Sequence, residues 1–221
     1  MPTRTLLLKI LVILSFAAEW ASANPPDPEA GFLQVVNLVS LKEPTTMAVG
    51  DFALHRGEAI LPGDGSGILA LKPNDYTIKV SNPGATPQSI SIPVTVVNGG
   101  NLVVICYDSV REKRDGTTES KLNSTVLSKT VLGDLPKMSL VSLVKSPVIE
   151  VSIGGDPIFL PTQKAHQVPV SIDDSFSIKV ANRSVGTIDI EKKIHYIGFI
   201  FTDPETGRAS LSVVQNVKLE Y

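Results

Sequence analysis

The side chains of this chain that are best suited to metal binding and acid–base chemistry are its three histidines, His55, His166 and His195. No two of them stand at a metal-ligand spacing such as His-x-Glu or His-x3-His. His166 and His195 each open a predicted strand, and a lone histidine at a strand edge is usually solvated or hydrogen-bonded. We therefore expect neither a metal site nor a cofactor.

Carboxylates are the second group of side chains that could hold an ion. Asp173 and Asp174 are adjacent, and Asp64 lies in a glycine-rich loop. Neither place has the alternating acidic residues of a calcium-binding loop. We interpret these aspartates as turn residues and as solubilising charge.

Nucleophilic catalysis would need a serine or cysteine beside a base. Residues 63–67 read Gly-Asp-Gly-Ser-Gly, which is the composition of a flexible turn and not a Gly-x-Ser-x-Gly nucleophile motif. Cys106, the only cysteine, lies in an apolar run and is expected to be a buried core residue. The sequence therefore favours a protein that is not an enzyme, and no single polar side chain is expected to be indispensable.

A binding role depends on the side chains that can anchor a partner. The formal net charge is −2, so the chain lacks the positive charge that nucleic-acid binding requires. Its basic cluster, Arg111, Lys113 and Arg114, is interrupted by Glu112 and has the pattern of a solvated loop. Since binding energy concentrates in a few anchors, we take Tyr107, Arg111 and Arg114 as the candidate surface anchors.

The first 23 residues have the pattern of an export signal. Arg4 supplies the positive start, residues 6–18 are mostly apolar, and Ala21 and Ala23 form a small-x-small cleavage site. The apolar stretch is shorter than the roughly 20 residues of a membrane-spanning helix. We expect cleavage after Ala23, a flexible mature N-terminus over residues 24–31, and a periplasmic or secreted protein without a membrane span. The alternative is an uncleaved N-terminal anchor.

A short pattern that occurs twice predicts how the chain is organised. Residues 76–82 (Tyr-Thr-Ile-Lys-Val-Ser-Asn) recur as residues 176–182 (Phe-Ser-Ile-Lys-Val-Ala-Asn). A Gly-Asp pair precedes each copy, and an apolar run that ends in aspartate follows it; the pairs are 50–51 and 155–156, and the runs are 103–108 and 198–203. Three landmarks in one order indicate a duplicated module, because each repeat has to be one packing unit.

Alternation within the repeat indicates strands. Ile78 and Ile178 should face a core, while Lys79 and Lys179 should face solvent. β-Branched residues dominate the chain after the signal, and such side chains pack well on a pleated surface. The sequence therefore predicts an all-β fold of two tandem β-sandwich modules, of an immunoglobulin-like kind.

The first module is predicted at residues 32–134, with strands near 32–41, 44–54, 67–71, 75–81, 88–97, 101–107 and 122–132. The second module is predicted at residues 135–221, with strands near 138–145, 148–160, 166–172, 175–181, 185–192, 195–202 and 208–219. The polar residues 108–120 are interpreted as a long hairpin loop of the first module, and Asn98-Gly99 as a tight hairpin turn. In the alternative interpretation, residues 108–136 are a linker between the modules.

This layout resembles a bacterial family of uncharacterised exported proteins with tandem β-sandwich repeats. The resemblance rests on an alternating strand that ends in Asn37, on Gly50-Asp51, and on residues 75–80; Ser142 replaces the asparagine in the second module. The chain is similar, more distantly, to the periplasmic accessory protein of alginate O-acetylation.

A duplicated module without a convergent catalytic set leads us to expect a non-enzymatic exported envelope protein that binds or scaffolds. Its partner would be an envelope protein or a polysaccharide. The alternative, which the second resemblance implies, is a periplasmic accessory factor for exopolysaccharide modification by O-acetylation.

Overall fold

The computed structural model describes residues 29–113, 115–128, 135–192 and 194–215. The described residues form sixteen strands and one short turn of 3-10 type at Leu54–Gly57, so the expected all-β fold is confirmed. Within these ranges there is no helix with the length and hydrophobicity needed to cross a membrane. The expected export signal, residues 1–23, lies outside the described residues.

Eight strands belong to the first module. Their bounds are β1 (Gly31–Leu38), β2 (Thr46–Val49), β3 (Phe52–Ala53), β4 (Gly65–Leu71), β5 (Asn74–Ser81), β6 (Ser89–Val96), β7 (Asn101–Glu112) and β8 (Thr118–Ser128). They form two four-stranded sheets, with the strand orders β4-β1-β7-β8 and β3-β2-β5-β6. β1 and β7 run parallel, and all other neighbours in these two sheets are antiparallel.

The second module contains the remaining eight strands. Their bounds are β9 (Lys137–Ser142), β10 (Val148–Ile153), β11 (Asp156–Pro161), β12 (Ala165–Val168), β13 (Ser175–Val180), β14 (Arg183–Asp189), β15 (His195–Thr202) and β16 (Ala209–Gln215). The sheets have the orders β12-β9-β15-β16 and β11-β10-β13-β14, with β9 and β15 parallel. Each strand occupies the place of the strand eight positions earlier, so the two modules share one topology.

Equivalent backbone hydrogen bonds align the turn between β2 and β3 with the turn between β10 and β11. Gly50 N–H donates to Thr77 O at 2.9 Å, and Gly154 N–H donates to Ser177 O at 3.4 Å. Both glycines have positive φ, 56° and 60°. Gly154 is therefore the counterpart of Gly50, and the Gly-Asp landmark at residues 155–156 is shifted by one position from the alignment that the sequence suggested.

Each module is filled by side chains from both of its sheets. Ile78 and Ile178 are completely buried at the centres of the two cores, and Lys79 and Lys179 are exposed, as the alternation predicted. Cys106 is buried in the first core. Burial raises the pKa of its thiol to about 12, so this side chain is a packing residue and not a reactive thiolate.

The prediction of a long loop at residues 108–120 is wrong. β7 continues to Glu112 and β8 begins at Thr118, and the two strands pair without a break from Leu102 opposite Ser128 to Glu112 opposite Thr118. A continuous antiparallel ladder satisfies the backbone of a polar segment whose side chains face water. Because β8 pairs with β7 along its whole length, residues 108–112 and 118–128 belong to a sheet of the first module and are not a linker; residues 129–134 of the alternative linker lie outside the described residues.

The turn expected at Asn98-Gly99 is present, but it does not form a hairpin. It joins β6 to β7, which lie in different sheets, and Gly99 has the left-handed backbone (φ 66°) that the sequence suggested. A two-residue hairpin turn occurs instead at Ala181 and Asn182, between β13 and β14. Their φ values of 48° and 62° are both positive, as a type I′ turn requires.

The two central strands of one sheet, β1 and β7, are buried on both faces. On one face, Leu33 and Val35 enter the first core, whereas Val36 and Leu38 on the other face pack against the second module. The buried residues between the modules, here called the interface cluster, are Val36, Leu38, Val103, Ile105, Leu143, Phe199, Phe201 and Val214. Leu143 belongs to the second module, and it thus lies between the modules and not in the core of its own module.

Candidate functional site

A cleft opens beside the interface cluster, where the β4-β1-β7-β8 sheet meets the β12-β9-β15-β16 sheet. Its volume is about 340 Å³, and both modules contribute to its walls. The first module supplies Ile105, Tyr107, Thr125 and Leu127, and the second supplies Ser139, Val141, Leu143, Gln163, Ala165, His195, Ile197 and Phe199. We call this space the inter-module cleft.

The two-residue period of the strands places these side chains. In β7 and β8 the odd-numbered residues face the cleft, and Ile105 lies directly opposite Thr125. In the second module the parallel register sets Ser139 beside Ile197 and Val141 beside Phe199. Even-numbered neighbours of these residues on β7, β9 and β15 are buried in the cores, so packing on the far side fixes these three strands; they are Val104, Cys106, Met138, Leu140 and Tyr196.

The modules touch closely at the other end of the same two sheets. A Cβ atom added to Gly63, in the loop before β4, would lie 3.3 Å from Cζ of Phe201. Ser212 on β16 donates a hydrogen bond of 3.4 Å from its hydroxyl to the carbonyl of Gly63. The sheets are therefore in contact near β1 and β16 and separate towards β8 and β12, which leaves the cleft open.

A charged contact joins the modules next to the cleft. Asp108 of β7 is almost completely buried; its Oδ1 accepts a hydrogen bond from Ser40 N–H at 2.6 Å, and its Oδ2 lies 3.1 Å from Nζ of Lys145. The contact with Lys145 is an ion pair whose angles do not make a hydrogen bond. A smaller cavity of about 220 Å³ surrounds this pair and shares Leu143 and Gln163 with the cleft.

Two polar side chains of the cleft, Ser139 and His195, lie close enough together to interact. Ser139 Oγ lies 3.4 Å from Nε2 of His195. Burial, and secondly the positive charge of Lys137, hold the pKa of His195 below its ordinary value of 6.5, so the imidazole is neutral at pH 7. No carboxylate hydrogen-bonds this ring among the described residues, so the third member of a catalytic triad is not supplied there. The pair can instead donate and accept hydrogen bonds to a bound molecule.

The three histidines are not brought together. His55 Nε2 lies 3.1 Å from the carbonyl of Gly65 and donates to it, His166 stands on β12 opposite Leu140, and His195 begins β15. The described residues contain no group of three histidine, cysteine or carboxylate side chains that could hold a metal ion.

The adjacent aspartates shape a turn. Asp174 Oδ2 accepts a hydrogen bond of 2.6 Å from Ser171 N–H, and Asp173 has a positive φ of 68° while its N–H donates to Ile190 O at 3.0 Å. Asp64 belongs to another turn, in which its N–H donates to Leu61 O at 3.1 Å. These contacts account for all three residues as parts of the backbone turns.

The candidate anchors have different positions. Tyr107 is half-buried in the wall of the inter-module cleft. Arg111 is exposed further along β7. It lies where β7 and β8 extend beyond the cleft as a hairpin of residues 108–112 and 118–120, here called the arm. Arg114 lies outside the described residues. Of the three candidate anchors, Tyr107 is therefore the one that lines the cleft.

A larger cavity of about 410 Å³ also lies between the modules. It is formed by loop residues, including Pro44, Leu61 and Pro62 of the first module and Pro204 and Glu205 of the second. Sites on strands hold their side chains more firmly than sites on loops. We therefore regard the inter-module cleft as the candidate site.

Sequence reasoning found Tyr107 but missed the other apolar wall residues. A usable signal was present, because residues 33–36 and 103–106 of the first module are largely apolar without alternation, and so are residues 196–201 of the second. Such runs are typical of strands that are buried on both faces.

When the chain is compared with known proteins, no protein-family model and no curated protein matches it.

Proposed function

We propose that this protein is a non-enzymatic, exported binding protein of the cell envelope and that the inter-module cleft is its binding site. The observation that carries the proposal is the cleft itself. Two modules of one topology meet through a buried cluster and leave apolar side chains uncovered where their sheets separate.

The chemistry of the walls supports a binding role. Tyr107, Leu127, Val141 and Ile197 are only partly buried, although each packs against the interface cluster. Ligand sites typically have volumes of about 300–1,000 Å³ and combine an apolar lining with a few polar groups. The cleft has a volume of about 340 Å³ and such an apolar lining, and its polar groups include those of Ser139, His195, Thr125 and Gln163.

The walls also have the rigidity that a binding site needs. Met138 and Leu140 of β9 and Tyr196 of β15 are buried in the second core, directly behind the cleft residues of the same strands. Packing on the far side holds the cleft side chains in place before a partner arrives. Pre-organisation of this kind reduces the entropy lost on binding.

Fluorescence of 1-anilinonaphthalene-8-sulfonate, which increases in apolar surroundings, tests the proposal. We expect the native protein to enhance this fluorescence and Ala165→Phe, which fills the mouth of the cleft, to reduce the enhancement. Ala70→Phe is the matched control, because Ala70 is an exposed alanine on another edge strand, β4. Equal enhancement by both variants would show that the dye binds elsewhere and would remove the support for the cleft.

The non-enzymatic part of the proposal has its own test. Alanine is introduced singly at His55, His166, His195, Asp173 and Asp174, and stability is measured beside an envelope phenotype. We expect no variant that folds to lose all function, because binding through several side chains of the cleft does not depend on one polar group. A variant that folds normally and loses all activity would replace this proposal with an enzyme or metal-binding function.

A further inference from the structure

We propose that the ligand of the inter-module cleft is an extended peptide segment of a partner protein, which adds to the sheet as a new strand along the outer edge of β8. This inference rests on the proposed function, since it names the ligand of the same site. Its basis is that free backbone hydrogen-bonding groups and the apolar cleft lie side by side on β8.

The orientation of the β8 backbone follows from its neighbours. Just before β7, the carbonyl of Gly100 accepts a hydrogen bond of 2.7 Å from Phe32 N–H at the start of β1. Backbone groups alternate in direction along a strand, so even-numbered residues of β7 bond to β1 and odd-numbered residues bond to β8. The register pairs odd-numbered with odd-numbered residues, so even-numbered residues of β8 direct their N–H and C=O groups outwards. The hydrogen bond of 2.8 Å from Thr86 N–H to Ser120 O agrees with this orientation.

Further along this edge, Ser124 and Val126 have backbone N–H and C=O groups that are free to pair with another strand. Within the described part of the chain, no hydrogen bond is found to the outward N–H and C=O of Ser124 or Val126, and β8 is the last strand of its sheet. Val126 is 43% exposed. Residues 123–128 (Asn-Ser-Thr-Val-Leu-Ser) contain neither charge nor proline. This part of β8 therefore lacks the features that prevent another strand from pairing with an edge.

Most other edge strands of the described sheets have such features. β3 and β12 contain only two and four residues, β6 and β11 contain proline, and the ladders of β4 and β14 are interrupted by register shifts. β16 is uncharged as well, but its Val214 packs in the interface cluster and its Ser212 bonds to Gly63. Among the described edge strands, β8 thus combines an edge that is free to pair with a position beside the cleft.

The cleft determines which side chains an added strand would present. Thr125 and Leu127 face the cleft, and residues directly opposite each other in paired strands point to the same face of a sheet. Peptide residues opposite Thr125 and Leu127 would therefore enter the cleft. The lining of the cleft contains no aspartate, glutamate, lysine or arginine among the described residues. The segment should consequently carry apolar, uncharged side chains at alternate positions and no proline between them.

The test selects peptides and then locates them. A bead-displayed library of random nonapeptides is selected on the purified protein and counter-selected on Val126→Lys, and the best peptide is synthesised. We expect apolar residues at alternate positions, and binding at least about tenfold weaker to Val126→Lys than to the native protein. Val213→Lys is the matched control, because Val213 is the exposed edge valine of β16 (37%); it should bind as the native protein does.

Hydrogen exchange and a modified peptide report on the backbone. The bound peptide should protect the amides of Ser124 and Val126, and methylation of alternate peptide nitrogens should abolish binding. The inference is overturned by the absence of enriched peptides, by equal binding to Val126→Lys, or by unprotected amides at these two residues. Protection that appears with rising protein concentration alone would assign the edge to a second copy and would also overturn it.

The two proposals fail in different ways. If Ala165→Phe reduces the dye fluorescence but no peptide protects the β8 amides, the cleft remains a binding site and the peptide inference is rejected. If Ala165→Phe changes neither dye fluorescence nor peptide binding, both are rejected.

Discussion

The carboxylate of Asp108 in the first module lies 3.1 Å from the ammonium group of Lys145 in the second. The two residues belong to different repeats, and the acidic partner is almost completely buried while 38% of the lysine side chain is exposed. With the interface cluster, this ion pair fixes one module against the other beside the cleft.

Lys145→Met should destabilise the protein by about 1–3 kcal/mol, because it leaves the charge of Asp108 buried without its partner. Urea unfolding measures the change. Lys113→Met is the control, since Lys113 pairs with Glu119 on the exposed arm at 3.0 Å; its effect should be about 0–1 kcal/mol. In a double-mutant cycle, adding Asp108→Asn to Lys145→Met should recover part of the loss. Additive effects would mean that the pair has no coupling energy.

Ile78→Ala and Ile178→Ala should each lower the free energy of unfolding by about 2–5 kcal/mol, through lost burial and the cavity that remains. Both side chains are completely buried at equivalent positions of the repeat. Lys79→Ala and Lys179→Ala, one residue along the same strands, should change stability by no more than about 0.5 kcal/mol. Thermal denaturation of the four variants checks the expectation, and a larger effect from either lysine variant would contradict it.

Gly63→Ala should destabilise the protein more than Gly207→Ala. Both glycines have positive φ, 96° and 66°, which is unfavourable for alanine by about 1–2 kcal/mol. Only at Gly63 would the new methyl group meet the other module, 3.3 Å from Phe201, whereas nothing lies within 4 Å of it at Gly207. Chemical denaturation compares the two variants, and equal losses would show that Phe201 moves aside.

The stability of the native protein should fall as the pH drops below about 6.5, and His195→Gln should weaken this dependence. The pKa of His195 is held below its ordinary value of 6.5 by burial and, secondly, by Lys137. Below about pH 6.5 the unfolded chain therefore binds a proton at His195 more readily than the folded protein does. The contribution of the neutral His195 side chain to stability is thus present above about pH 6.5 and is lost as the pH falls below it. Urea midpoints measured from pH 7.5 to pH 5 test this, and identical slopes for both proteins would refute it.

Export should produce a mature chain that begins at Asn24. The reason is the charged start, the short apolar stretch and the small-x-small site before this residue. Mass spectrometry of the envelope and secreted fractions measures the N-terminus. Abundant peptides that span residues 22–29 would indicate that the signal is retained as an anchor.

Local patterns in the sequence determined the all-β fold, the repeat and the direction of individual side chains. The burial of Ile78 and the exposure of Lys79 follow from a two-residue alternation within one strand. The burial of Cys106 follows from its apolar neighbours. These features depend on residues that are close together in the chain, so they can be read without knowing where each strand pairs.

Only the tertiary structure decided which strands share a sheet and where the cleft lies. Residues 108–112 and 118–120 are polar apart from Val110, and they form strands because each strand supplies the hydrogen-bond partners of the other. The turn at Gly99 has the expected backbone, yet its flanking strands leave it for different sheets. Tyr107 and Ile197 line one cleft although they come from different modules, because the packing of two sheets brings them together and no local pattern records that packing.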